Sequence, residues 1–93
     1  MKKPRILLID DDKNTVKGLK KILQYNGYDT SCVYTGNDAI SLIDTERFDI
    51  VITDMKLPDI SGFSIIEKVK KSDADIPVIM ITAFSSLQTA IDA

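Results

Sequence analysis

The stretch Asp49-Ile50-Val51-Ile52-Thr53-Asp54-Met55-Lys56-Leu57-Pro58-Asp59 decides the fold. Ile50 to Thr53 are apolar or β-branched without polar alternation. Such a run marks a strand buried on both faces, as in a parallel sheet. It ends at a carboxylate, Asp54, followed by a Pro-containing turn. Asp54 is thus expected at the C-terminal end of a central strand, the edge where open α/β sheets bind ligands.

Two further runs end in the same way. Arg5-Ile6-Leu7-Leu8-Ile9 leads into Asp10, Asp11 and Asp12, and Ile76-Pro77-Val78-Ile79-Met80-Ile81 leads into Thr82. If these strands are parallel neighbours, acidic groups and a hydroxyl converge at one place. Between them lie helical stretches. Asp12 to Asn14 offer cap residues for a helix over about 13–26, with Val16, Leu19, Ile22 and Leu23 on one stripe and Asn26-Gly27 as its stop. Tyr28 to Tyr34 reads as a more polar strand nearer an edge. Thr35 to Asp38 resembles a capping box for a helix reaching about Thr45. Ser61 can cap a helix from Gly62 to about Ser72, with Phe63, Ile66 and Val69 inward. Ser85 to Gln88 resembles another capping box, opening a helix that continues to Ala93. Strands alternating with helices predict an α/β, doubly wound parallel sheet.

The bulk properties narrow the function. Ninety-three residues make one small domain, 1–93, with a modest core. A net charge of -2 gives no basic face for nucleic acid. The absence of histidine excludes a His-based catalytic site and argues against zinc. Cys32 is the only cysteine, so no intrachain disulfide is possible, and it reads as a small buried hydrophobe. Without a signal peptide or a run of ~20 apolar residues, a soluble cytoplasmic protein is expected.

Singly, each acid has an ordinary explanation. Asp12 suits a helix cap, Asp59 a turn, and Thr82 a strand end. Together they pose an electrostatic problem. Unit charges ~4 Å apart repel by roughly 4 kcal/mol at an effective dielectric near 20. Asp10, Asp11 and Asp54 brought together would destabilise the fold or force one to stay protonated. A divalent cation removes the conflict, and carboxylate oxygens with retained waters suit Mg2+. A carboxylate beside Mg2+ can also act as a nucleophile toward phosphorus. Phosphoryl transfer needs mainly positioning and charge neutralisation, so few groups suffice.

Leu7 to Asp12, Asp49 to Gly62 and Pro77 to Ala83 together resemble the receiver domain of two-component response regulators. The tail from Thr82 to Ala93 is most similar to receivers of enhancer-binding transcriptional activators. The resemblance covers the whole chain in order. It implies a flavodoxin-like sheet of order 2-1-3-4-5, here 2-1-3-4 with the fifth strand missing; a chemotaxis receiver is the general example of that order. It implies that Asp54 accepts a phosphoryl group from a histidine kinase, to switch an output domain of DNA-binding type. The domain is then a signalling phosphoacceptor, not an enzyme, although it takes part in its own phosphotransfer and dephosphorylation. By the same resemblance, Asp11, Asp54 and the backbone carbonyl of Lys56 ligate Mg2+ directly, Asp10 acts mainly through water, and Thr82 is the switch hydroxyl. The family's phosphate-contacting lysine has no counterpart in this sequence. The expectation is an incomplete receiver whose last strand, Ile76 to Ile81, is an apolar edge that recruits or swaps with another copy.

Other readings compete. Asp10-x-Asp12 after a strand resembles haloacid-dehalogenase-type phosphatases, with Asp10 as nucleophile and Asp12 as general acid; that leaves the Asp54 loop unexplained. An EF-hand from Asp10-x-Asp12-x-Asn14 fails, because Thr15 and Lys21 stand where Gly and Glu are needed. A flavin-binding domain lacks a phosphate-cradling loop after the first strand. A receiver-like interaction fragment that never takes phosphate is the remaining alternative.

Overall fold

The structure is a computed structural model and describes residues 3–81. In chain order it contains β1 (Arg5–Ile9), α1 (Lys13–Tyr25), β2 (Asp29–Val33), α2 (Gly36–Thr45), β3 (Ile50–Asp54), α3 (Gly62–Ser72) and β4 (Val78–Ile81). The four strands form one parallel sheet of order β2-β1-β3-β4. This is the order that the resemblance to receiver domains implied. The fourth helix expected after Ser85, and Thr82 with it, lie outside the described residues.

The helix ends follow local chemistry. Asp12 caps α1, its Oδ1 accepting from the amides of Asn14 at 3.0 Å and Thr15 at 3.3 Å. At the other end Gly27 takes φ +92°, and the amides of Gly27 and Tyr28 donate to the carbonyls of Gln24 and Leu23. This is the Schellman arrangement, which needs a residue free to adopt positive φ. The hydroxyl of Thr35 caps α2 at the Asp38 amide, 3.2 Å, and Ser61 caps α3 at the Phe63 amide, 3.1 Å.

Alternation along the strands builds the core on both sheet faces. Leu7 and Ile9 of β1 and Val51 of β3 join Ala39 of α2, Phe48, and Ile65 and Val69 of α3 in one buried cluster. Ile6 and Leu8 are buried outside that cluster, on the face that carries α1 and its buried Val16. Each such Ile or Leu contributes about 1.5–3 kcal/mol by leaving water. Two expected inward residues are outside instead: Phe63 is 58% exposed and Ile22 is 59% exposed. Because Ser61 sets the start of α3, Ile65 and Val69, four apart, share the inward face, while Ile66 is half-buried.

The N-terminal edge of the sheet is tied by Arg5. Its guanidinium bonds Glu46 at 2.6 Å and the Arg47 carbonyl at 3.1 Å, and lies 4.9 Å from the Phe48 ring centre. Its amide donates to Asp49 at 2.8 Å. Among the described residues β4 borders the sheet, and its Ile79 is 49% exposed.

Candidate functional site

Parallel register brings the first two carboxylates together. Ile9 of β1 pairs with Thr53 of β3, so the following residues, Asp10 and Asp54, leave the sheet side by side. The Asp10 amide still donates to the Val33 carbonyl of β2 at 3.2 Å, and the Met55 amide donates to the Ile81 carbonyl of β4 at 3.2 Å. Both carboxylates are therefore held by main chain that continues the ladder. Asp10 and Asp54 are 5% and 6% exposed, whereas Asp11 is open to solvent. One carboxylate oxygen from each of Asp10, Asp11 and Asp54 lies within 4.8 Å of the other two.

Burial sets the electrostatics. Desolvation pushes the Asp10 carboxyl above its ordinary range; the Asp12 amide, donating to Asp10 Oδ1 at 3.0 Å, acts against this, and the charges of Asp54, Asp11 and Asp12 add to it. The Asp54 Oδ1 receives a long contact from the Lys56 amide, 3.4 Å. Behind it, the Thr53 side chain is fully buried and its hydroxyl donates to the Asp54 carbonyl at 3.1 Å. Three hard oxygen donors, two of them poorly hydrated, form a set suited to a divalent cation with retained water.

The loop after β3 folds back under the site. The Gly62 amide donates to the Met55 carbonyl at 2.9 Å, and Lys56 and Ser61 form an antiparallel bridge. Asp12, the general acid of the phosphatase reading, has its carboxylate engaged in capping α1. Asp59 is more than a turn residue: Oδ1 and Oδ2 accept from the amides of Gly36 and Asn37, each at 2.8 Å. Those hydrogen bonds hold its carboxyl below the ordinary range, Asn37 contributing most and Gly36 next. No local signal reveals this role, since the partners lie 22 and 23 residues away. The sheet edge thus gathers Asp10, Asp11, Asp54 and Lys56, while Thr82 lies outside the described residues.

A parallel 2-1-3-4 sheet with clustered acids at its C-terminal edge defines a class, the flavodoxin-like domains with an acidic site at the strand ends. Residues 6–93 match the response regulator receiver domain family, and the chain belongs to it. It is 33% identical over 88 residues to the transcriptional regulatory protein ZraR of Salmonella typhimurium, covering 95% of this chain and 20% of that protein. It thus spans about a fifth of the length of that relative. A CheY-like receiver domain protein from Methanospirillum hungatei superposes with a TM-score of 0.86 at 32% identity, over 97% of this chain and 72% of that one. The response regulator TrrA of Thermotoga maritima, solved in complex with Mg2+-BeF, gives a TM-score of 0.82 at 32% identity, over 92% of this chain and 75% of that one. The chain is a receiver domain of the signalling type found in transcriptional regulators.

Proposed function

We propose that Asp54 is the phosphoacceptor and that Asp10, Asp11, Asp54 and the backbone carbonyl of Lys56 hold Mg2+. The observation that carries this is the approach of three carboxylates within 4.8 Å at the end of β1 and β3. Bound there, the cation would neutralise the carboxylates and the phosphoryl oxygens. The magnesium complex of TrrA supports the choice of metal.

In this reading Asp54 is the nucleophile. It ends a buried strand, and its carbonyl is anchored by the Thr53 hydroxyl, so the side chain has a fixed origin. A carboxylate oxygen of Asp54 bonds to phosphorus of a phosphohistidine on the kinase. The phosphorus–nitrogen bond breaks, its electron pair returns to the imidazole, and that nitrogen takes a proton from water. The product is an aspartyl phosphate. Asp10 has its Oδ1 tied to the Asp12 amide, and its second oxygen would help to hold the cation. In the same reading Thr82, outside the described residues, is the switch hydroxyl.

The partners of this reading are a sensor histidine kinase and an output domain in a protein of the cytoplasm, the output being transcriptional by analogy with the transcriptional regulatory protein ZraR. Among the described residues no helix is long and apolar enough to cross a membrane. The test of the main proposal is intact mass after incubation with Mg2+ and a small phosphodonor. One phosphoryl group on the parent and none on Asp54→Asn is expected. Equal labelling of both, or of neither while both stay folded, would overturn it.

A further inference from the structure

The loop from Met55 to Ser61 carries Lys56, whose carbonyl belongs to the proposed cation site. It is closed at its base by the Gly62 amide on the Met55 carbonyl and by the Lys56–Ser61 bridge. Its tip is pinned elsewhere. Asp59 reaches α2, where Gly36 and Asn37 are the first two helical residues, and accepts one amide on each oxygen. The Ile60 amide also donates to Asp59 Oδ1 at 3.0 Å, and the Ile60 side chain covers Gly36 so closely that a Cβ there would overlap it. The end of α2 does not depend on Asp59 alone, because Thr35 caps it at the next amide, that of Asp38.

We propose that Asp59 is a positioning residue for the cation site: by fastening the loop tip to the N-terminus of α2, it holds the main chain at Lys56 in place beside Asp54. The inference rests on the reading of Asp54 and Lys56 as the cation site. Ionised acceptors at helix N-terminal amides make strong, directional hydrogen bonds. Without them the loop samples arrangements in which the Lys56 carbonyl is misplaced. Apparent affinity then falls by the fraction of chains still competent to bind. A drop of that fraction to about one fifth would raise the half-saturating Mg2+ concentration about fivefold.

The experiment compares the parent with Asp59→Ala, Asp59→Asn and Thr35→Ala, using Mg2+ titration and amide hydrogen exchange at Lys56 and Gly62. Asp59→Ala should raise half-saturation about fivefold and speed exchange at both amides. Asp59→Asn keeps one carbonyl acceptor and should fall between. Thr35→Ala removes only a helix cap and should lower stability without moving half-saturation. Unchanged Mg2+ affinity in Asp59→Ala, or an equal loss in Thr35→Ala, would overturn the proposal by reducing Asp59 to a structural cap. A parent that binds no Mg2+ would instead overturn the cation-site reading itself, and the positioning role with it.

Discussion

Gly62 lies against the backbone of Asp54: a Cβ at Gly62 would overlap the Asp54 carbonyl oxygen and come 3.1 Å from the Met55 Cα. The start of α3 and the end of β3 therefore touch main chain to main chain. The close approach is what allows the Gly62 amide to reach the Met55 carbonyl. It places α3 directly behind the site.

Gly62→Ala should consequently destabilise the domain by about 1–3 kcal/mol, the usual cost of overpacking, despite the better helix propensity of Ala. Gly18 provides the control. It sits within α1, and a Cβ there meets nothing within 4 Å among the described residues. Gly18→Ala should stabilise by up to about 1 kcal/mol. Urea midpoints of the two variants should move in opposite directions. A shift of the same sign would show that the Gly62 contact relaxes at no cost.

Thr30 of β2 is 6% exposed, and its hydroxyl has no hydrogen-bond partner among the described residues. It pairs with Ile6 and shares the face covered by α1. A buried hydroxyl without a partner costs about 1–3 kcal/mol of desolvation. Thr30→Val keeps the β-branched shape and should be neutral or stabilising by about 1 kcal/mol. Thermal unfolding of the two proteins reads the difference, and a marked fall in Tm for the Val variant would show that the hydroxyl is satisfied.

Burial of the charged form raises the Asp10 carboxyl, and Asp54 adds to the effect. In the absence of cations, Asp10→Asn should be at least as stable as the parent. A cation bound only by the folded form stabilises by about 2.7 kcal/mol at one hundred times its dissociation constant. Mg2+ should thus raise the urea midpoint of the parent and leave that of Asp54→Asn nearly unmoved. Equal stabilisation of both by Mg2+ would place the ion elsewhere.

Asp59 gives a pH dependence of known sign. Its folded carboxyl is depressed, chiefly by the Asn37 and Gly36 amides, while the unfolded group titrates near 3.9. Between those values the unfolded chain binds the proton and the folded chain does not. The stabilisation from Asp59 is therefore complete above about pH 5 and is lost as pH falls through the folded value. Subtracting the Asp59→Asn stability curve from that of the parent, over about pH 3 to 6, should leave a difference that shrinks toward acid. A flat difference would mean the carboxylate makes no such bonds in solution.

The sequence by itself determined the parallel sheet and the acidic edge, while the strand order followed from the resemblance to receiver domains. Buried parallel strands carry unbroken apolar runs, and those at Ile6 to Ile9 and Ile50 to Thr53 stop abruptly at Asp10 and Asp54, so strand ends and candidate site were written in the same residues. Caps at Asp12, Thr35 and Ser61 were legible because capping is local, spanning two or three residues. Only the tertiary structure decided what depends on distance along the chain. It set the phase of α3, which turned Phe63 outward and Ile65 inward. It brought Gly62 onto the Asp54 carbonyl. It carried the Asp59 carboxylate to amides 22 and 23 residues away, a match that no local pattern encodes because the two segments meet only when β1 and β3 have paired and α2 has packed beside α3.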